Sequence, residues 1–485
     1  MKLKEILQNL DIISSNVDMD TEIGGISYDS RKTRPGDLFV AIKGFESDGH
    51  RFIPKAMEKG AAAALCQDVP ADGTPYVQVA DCRYALAIAS RELFGNPASR
   101  MKVIGFTGTS GKTSSTHLLK YVLEQKAGAK VGLIGTNGNM IGDVHIHSEY
   151  TTPESYELHG LFRQMADAGC THVVMEVSSH SLALERVAGI NFDVAVFTNL
   201  SQDHLDLHGT MDEYAAAKKK IFSQCRCGWI NADDERAGFM AEGVSCPMLT
   251  YSAMADKADL TARNSKLSES GVSFLAVKGA ETAETTLRIP GLFSVYNALS
   301  VMAAGLSLGM SLADCADALS SARGVKGRME SVATDGDYSI IIDYSHKPDA
   351  LEKVLKTLRP VTRGRLIALF GCGGDRDRGK RPIMGKIAAE NADFVIVTSD
   401  NPRTEDPMAI INEILPGVEN EHTPFKVICD RVEAIGWAID NAASGDVILL
   451  AGKGHEDYQI IGHEKHHMDE REIAAGFIEK RKHGK

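Results

Sequence analysis

The chain has 485 residues, 43% hydrophobic and 24% charged, with 53 Lys and Arg against 65 Asp and Glu and a formal net charge of −12. That length exceeds one ordinary hydrophobic core and predicts two to four domains, while the acidic balance argues against nonspecific binding to nucleic acid or anionic membrane. No run of 18 apolar residues is present, which excludes a membrane-spanning helix, and nine cysteines without a C-x-x-C pair predict reduced thiols in a cytoplasm rather than a zinc site.

In chain order, "MKLKEILQNLDIISS" carries charges inside its apolar run, which predicts an amphipathic helix and not a signal peptide. "DLFVAIKG" (Asp37–Gly44) reads as a strand and "IPKAMEKGAAAALC" as helix then strand, so residues 1–99 are expected to form a small α/β unit. "GNPAS" (Gly95–Ser99) carries turn chemistry and marks the linker. From Met101 a strand–loop–helix rhythm sets in: "KVIGF", "THVVMEV" and "DVAVFTN" each run into a glycine-rich or polar loop, and "GWINADD" ends in acids. A second boundary falls near "GVKGRME" (Gly324–Glu330), and the rhythm restarts with "YSIIIDYS", "RLIALF", "DFVIVTS" and "DVILLAG". Apolar runs alternating with helices predict parallel sheets covered on both faces, in domains 1–99, 100–327 and 328–485. In such sheets ligands bind beyond the carboxyl ends of the strands, where every polar cluster named here lies.

The sharpest of these clusters is "GFTGTSGKTSST" (Gly105–Thr116), an apolar strand running through glycines into Lys112 and Thr113 at a helix start. Glycines let backbone N–H groups face phosphate oxygens, Lys112 neutralises phosphate charge, and Thr113 offers a hydroxyl to magnesium. The usual G-x-x-x-x-G-K-[ST] spacing needs glycine at 106, where Phe106 stands, so this is a shorter variant of the loop. Magnesium takes oxygen ligands, and Glu176 ends the next polar-tipped strand. "DHLDLHG" adds Asp203, His204, Asp206 and His208, each able to serve a metal, a phosphate or a helix cap. The lysines of "AAAKKKIF" (Ala215–Phe222) read on spacing alone as a solvated helix face. "GCGGDR" fails as a dinucleotide loop, because Arg376 occupies the third glycine position of G-x-G-x-x-G. A phosphate-loop switch protein is the alternative of another class, with hydrolysis that needs no second substrate.

"GTSGKT", "MEVSSHSL", "TNLSQDHLDLHG", "EYAAAKKKIF", "INADD", "GLFSVYNALSVMAA", "GRMESV", "IIDYSHKPDAL" and "DNPRTEDP" follow one another in the order found in the Mur ligases of peptidoglycan synthesis. The chain resembles that family over essentially its whole length, from "SYDSRKTRPGDLFVAIKG" onward, and most closely its MurE branch. The resemblance implies an α/β enzyme of three domains: the first for a uridine nucleotide, the central phosphate-loop domain for ATP, and the Rossmann-like third for an amino acid. It implies ATP-dependent addition of meso-2,6-diaminopimelate to UDP-N-acetylmuramoyl-L-alanyl-D-glutamate through an acyl phosphate, by a cytoplasmic monomer. An L-lysine-adding relative or a folylpolyglutamate synthetase-like ligase is the alternative; the "SYDSR" domain and "DNPR" disfavour the latter.

Matched motif by motif, Gly108, Thr109, Ser110, Gly111, Lys112, Thr113, Ser114, Asn297, Arg328 and Asp343 are expected to bind ATP. Thr113, Glu176, His204 and Lys218 are expected around Mg2+, with Lys218 carrying a carbamate derived from CO2, and Lys112, Glu176, His204 and Lys218 form the catalytic set. Ser30, Thr151, Thr152, Ser178, Arg186 and Lys218 match the muramoyl-dipeptide positions, with Leu184 standing where some members carry a polar contact. Arg376, Asp400, Asn401, Pro402, Arg403, Gly452 and Glu456 match the diaminopimelate positions. Relatives that add L-lysine lack the arginine of "DNPR", and an arginine fork suits the carboxylate by which the two amino acids differ.

Overall fold

Short β-branched runs become the buried strands of parallel sheets, and the polar residues that follow them become the loops at one sheet edge. The computed structural model describes residues 1–45, 47–148, 150–254, 257–268, 271–322 and 324–483, the side chains of Asp206 and His483 excepted. Its backbone contacts divide the chain into two units, Met1–Thr261 with Ser300–Ser311, and Ala262–Leu299 with Leu312–Lys485. Among the described residues no helix is long and apolar enough to cross a membrane.

The first unit holds a five-stranded sheet in the order Ile12–Ser15, Tyr76–Val79, Ala63–Cys66, Asp37–Val40, Gly25–Ser27, parallel except for its first strand. The N-terminal stretch departs from the expected amphipathic helix: only Leu3–Ile6 is helical, and Ile12–Ser15 is an edge strand. Leu3, Ile6 and Leu7 are buried in the core beneath the Cys82–Leu93 helix, whereas Ile13 is 60% exposed. Burying each of those side chains contributes about 1.5–3 kcal/mol. That outweighs helix-propensity differences below about 0.7 kcal/mol per residue, so packing ends the helix after one turn and sends Ile12 and Ile13 to the sheet edge.

The same unit carries the parallel strands Met248–Ser252, Gly228–Asn231, Val194–Phe197, Lys102–Thr107, His172–Glu176 and Val131–Ile134, in that spatial order. An antiparallel pair, Asn139–Ile141 and Val144–Ile146, extends it beyond Val131–Ile134. The chain builds one side of Lys102–Thr107 first and then crosses to the other, so the loop after this strand opens at the topological switch point. From there the Lys112–Ala127 helix departs; Gly128 closes it in a left-handed conformation, its N–H returning to the Leu123 carbonyl. A capping box between Thr210 and Glu213 starts the Met211–Lys219 helix, which carries Lys218.

In the second unit the strands Gly271–Lys278 and Glu281–Leu287 form an antiparallel hairpin, against which the Leu312–Ser321 helix packs. A six-stranded sheet follows in the order Glu330–Val332, Ser339–Asp343, Val447–Ala451, Leu366–Phe370, Phe394–Val397, Phe425–Val427. All its pairings are parallel except the first. Its four central strands are almost wholly buried, and the loops after them share one edge.

Candidate active site

Lys102–Thr107 delivers Gly108 with φ +144°, and a Cβ there would lie 1.9 Å from the Thr198 hydroxyl oxygen. Only glycine lets the loop pass that close to the neighbouring strand end. Thr198 and Asn199 then hold the loop from the side: Thr198 Oγ1 donates to the Ser110 carbonyl (2.7 Å) and Asn199 Oδ1 accepts from the Ser110 N–H (3.0 Å). Lys112 Nζ donates to the carbonyls of Gly108 (2.7 Å) and Thr109 (3.0 Å), folded back over the turn that precedes the helix.

From the same edge Glu176 reaches the loop. Its Oε2 accepts from Thr113 Oγ1 (3.0 Å) and Thr136 Oγ1 (3.2 Å), and its Oε1 from the Thr136 N–H (2.8 Å). Thr136 Oγ1 lies 3.0 Å from Thr151 Oγ1, so one chain of hydroxyls joins the magnesium candidates to the "TT" pair. Thr152 Oγ1 donates to the Glu176 carbonyl (2.9 Å) and accepts from the Ser178 N–H (3.1 Å). Arg186 donates to the Thr152 carbonyl (3.2 Å) and pairs with Glu154 (3.1 Å), its guanidinium over the Tyr150 ring. Three buried or half-buried oxygen donors, Thr113, Glu176 and Thr136, are the hard ligand set that magnesium takes.

Lys218 does not lie on a solvated face. It is 1% exposed, its Nζ donates to the Gly108 carbonyl (2.8 Å) and stands 4.5 Å from the centre of the Tyr214 ring. Burial, reinforced by the nearby Lys112 charge, holds its amine well below the usual lysine range. His204, at φ +53°, stacks edge-on against His180 with ring centres 4.7 Å apart, and Asp203 lies 3.4 Å from its Nε2. His208 Nε2 meets Ser179 Oγ at 2.9 Å. The Asp206 side chain lies outside the described residues. Ser30 is buried in the turn after Gly25–Ser27 on the five-stranded sheet.

In the second unit Asn297 is buried in the Leu292–Ser307 helix. Asp343 ends the Ser339–Asp343 strand; its Oδ2 accepts from the Met329 N–H (2.8 Å), and burial pushes its carboxyl upward against the opposing charge of Arg328. The Arg328 guanidinium covers the Tyr344 ring at 5.1 Å, and among the described residues its buried Nε has no hydrogen-bond partner.

The "DNPR" loop follows Phe394–Val397. Asn401 Nδ2 donates to Glu456 Oε2 (2.9 Å), and the buried Lys453 amine donates to Asn401 Oδ1 (2.7 Å) and Glu456 Oε2 (3.0 Å). Gly452, φ +113°, lets Asp400 approach, since a Cβ there would lie 2.8 Å from Asp400 Oδ2. Arg403 has φ +52°, a left-handed conformation that costs a non-glycine residue about 1–2 kcal/mol. It is held there by Arg403 N to Ile460 O (3.0 Å) and Gly462 N to Arg403 O (2.7 Å). Its Nη1 donates to the Gly374 carbonyl (2.8 Å), while Arg376 Nη1 turns back to the Asp375 carbonyl (3.0 Å).

The structure thus gathers Lys112, Thr113, Glu176, Thr151, Thr152, Ser178, Arg186 and Lys218 at one sheet edge, and Asn401, Arg403 and Glu456 at another. Sequence reasoning passed over Thr136, Tyr214 and Lys453. Thr136 and Lys453 each follow an apolar run, in "VGLIGT" and "DVILLAGK", a signal too common on its own to single them out.

Comparison with known proteins agrees over the whole length. Residues 22–95, 106–305 and 327–454 match the family models described as Mur ligase family, catalytic domain, Mur ligase middle domain, and Mur ligase, glutamate ligase domain. The UDP-N-acetylmuramoyl-L-alanyl-D-glutamate–2,6-diaminopimelate ligase of Caldanaerobacter subterraneus subsp. tengcongensis is 47% identical over 482 residues, 99% of each chain. The ligase of the same name from Clostridioides difficile is 44% identical over 485 residues, 99% of this chain and 100% of that one. A solved structure of a ligase of that name superposes with a TM-score of 0.76 at 32% identity, covering 100% of this chain and 99% of the other. With three consecutive domains matched and near-complete coverage of such relatives, the chain belongs to the Mur ligase family.

Proposed function

We infer that this enzyme joins 2,6-diaminopimelate to the D-glutamate carboxylate of UDP-N-acetylmuramoyl-L-alanyl-D-glutamate at the expense of ATP, in peptidoglycan precursor synthesis. The observation that carries it is full-length identity of 43–47% to ligases named for this reaction. We take the amino acid as the meso isomer, the domains as 1–99, 100–327 and 328–485, and the enzyme as a cytoplasmic monomer.

A carboxylate is a poor acylating agent at neutral pH; ATP supplies the phosphoryl group that converts it to an acyl phosphate, which the incoming amine opens with release of phosphate. What the chain contributes is positioning and charge compensation. The glycine-loop N–H groups and Lys112 receive phosphate oxygens, with Ser114 and the helix N-terminus behind them. Thr113 and Glu176, already hydrogen-bonded to each other, present the oxygens that would hold Mg2+, and His204 offers a nitrogen to a second ion. Asn297 fits an adenine contact, and Arg328 and Asp343 fit contacts on the same nucleotide. Thr151, Thr152, Ser178 and Arg186 form a continuous polar rail suited to the muramoyl dipeptide, with Ser30 for its uridine end.

Arg403 is the residue we assign to amino-acid choice. Among the described residues its guanidinium has one side-chain hydrogen bond, to the Gly374 carbonyl, so the rest of the fork is open to a carboxylate. Glu456 and the Asp400 carboxylate suit an ammonium group. With L-lysine in place of diaminopimelate the fork would stay desolvated and unpaired, and rejection by a factor of about 10⁴ is expected. Steady-state kcat/KM for both amino acids tests this, together with Arg403→Ala. We expect the substitution to abolish diaminopimelate use while leaving the ATP KM within about twofold, in line with loss of one substrate contact only. Comparable values for the two amino acids on the wild type would overturn the assignment.

A further inference from the structure

Behind the "DNPR" loop lies an ion cluster that no substrate contact explains. Arg381, on the Lys380–Asn391 helix, has a side chain with no exposed surface. Its Nη1 donates to Glu405 Oε2 (3.0 Å) and Glu413 Oε2 (2.7 Å), and its Nη2 to Glu405 Oε1 (2.8 Å) and the Gly373 carbonyl (3.3 Å). Arg378 closes the cluster from outside by pairing with Glu413.

The two glutamates differ in what they touch next. Glu413 sits on the Pro407–Glu419 helix and, among the described residues, its side chain bonds to Arg378 and Arg381. Glu405 sits in the turn after "DNPR", and its Oε1 also accepts from the Asp375 N–H at 2.6 Å. Asp375 is itself in a left-handed conformation, φ +53°, and takes Thr404 Oγ1 (2.8 Å) and the Thr404 N–H (3.2 Å) on its carboxylate. The contact between the two loops is tight throughout. A Cβ on Gly374 would lie 1.9 Å from the Pro402 carbonyl, the Gly374 N–H donates to the Asn401 carbonyl (2.9 Å), and the Gly374 carbonyl receives Arg403.

We propose that Arg381 and Glu405 are positioning residues for amino-acid selection: the Arg381 fork fixes Glu405, Glu405 fixes the Asp375 amide, and the strained Gly373–Arg376 turn thereby sets where the Arg403 and Arg376 guanidiniums stand. The proposal rests on the reading of Arg403 as the contact to the distal carboxylate. Its physical basis is that a bidentate guanidinium–carboxylate pair whose arginine side chain has no exposed surface admits one geometry, and the left-handed Asp375 takes its amide tie from that same carboxylate.

Glu405→Gln and Glu413→Gln separate positioning from plain stability. Both weaken the pairing of the same buried arginine, so both are expected to lower Tm. Only Glu405→Gln disturbs the turn. It is expected to raise the diaminopimelate KM by about 10- to 100-fold and to erode discrimination against L-lysine by a similar factor, as a displaced substrate contact does. The KM values for ATP and for the dipeptide nucleotide are expected to stay within about twofold. Glu413→Gln should leave the diaminopimelate KM within about threefold on the same reasoning. Should Glu405→Gln fail to fold, Thr404→Val cuts the neighbouring tie to Asp375 without exposing a buried charge and is expected to shift the same KM. Equal KM changes in the two glutamate variants, or an unchanged diaminopimelate KM in both Glu405→Gln and Thr404→Val, would overturn the proposal. Failure of the underlying reading is distinguishable, because it appears in the wild type and in Arg403→Ala as an absence of diaminopimelate preference.

Discussion

At the scale of the residue, Lys218 shows what spacing hides. Three consecutive lysines on a helix ordinarily face water, yet Lys218 is buried between Tyr214 and the Gly108 carbonyl while Lys220 reaches Glu185 at half exposure. Only the family resemblance singled it out, because nothing local distinguishes it from its neighbours. Its environment suits the carbamate assigned to it. CO2 is attacked by an unprotonated amine, the new Nζ–C bond forms as a proton leaves, and burial already favours the neutral amine. The product is anionic and beside Lys112, so the repulsion that a protonated Lys218 would meet there becomes attraction. Stripping CO2 and bicarbonate is expected to lower activity reversibly, and Lys218→Ala is expected to recover part of its activity with small carboxylic acids. Undiminished turnover in CO2-free buffer would contradict the modification. Thr136 and Lys453 were illegible for a different reason: a lone threonine or lysine after a strand is common, and their roles come from partners 40 and 52 residues away along the chain.

At the scale of the element, the central strands of both parallel sheets were readable because each is a short apolar run that ends in polar residues. The strands at the margins were not. Leu260–Ser268 reads "LTARNSKLS", with six exposed residues in succession, and its pairing supplies what its composition does not announce. The Ser155–Asp167 helix carries a further feature that periodicity presents as ordinary core. His159 is fully buried and, among the described residues, neither ring nitrogen has a hydrogen-bond partner, with Arg91 and Glu92 the charged groups that act on it. Burial first, and then the Arg91 charge, push its imidazole down to about 3. Because the folded value lies below the unfolded one, near 6.5, the unfolded chain binds the extra proton between them. Stability from this site is therefore intact above about pH 6.5 and falls as pH drops toward 3, by up to about 1.4 kcal/mol per pH unit. His159→Phe keeps the ring and removes the titration. Urea midpoints from pH 7 to 4.5 should fall less steeply in the variant than in the wild type; parallel slopes would show that His159 does not couple folding to protonation.

At the scale of the whole molecule, the groups assigned to ATP come from distant stretches. Gly108–Ser114 and Asn297 precede the stretch Gly324–Gly327, and Arg328 and Asp343 follow it. The sequence announced both sets through separate motifs, but motif spacing carries no information on how the two sets stand in space. A nucleotide that takes groups from both sets is expected to favour, by its differential affinity, whichever arrangement brings them together. The chain offers a place for the change in the stretch around Gly324–Gly327, where both glycines are left-handed, φ +84° and +73°. Gly327 itself is fixed to the sheet that follows: the Tyr344 N–H donates to its carbonyl (3.0 Å), and a Cβ on it would lie 2.0 Å from the His455 nitrogen. Rotation is thus expected to be absorbed on the N-terminal side of Gly327, nearer Gly324, where among the described residues an added Cβ would meet Ile289 side-chain atoms and no backbone. Small-angle scattering on the full chain, alone and with a non-hydrolysable ATP analogue, magnesium and the dipeptide nucleotide, reads the outcome. A smaller radius of gyration is expected with the three ligands together, and Gly324→Pro, which fixes φ near −65° where the native angle is positive, should blunt that change without altering the Lys112 loop. Identical profiles at saturation would contradict the rotation, and the roles given to Arg328 and Asp343 would fall with it.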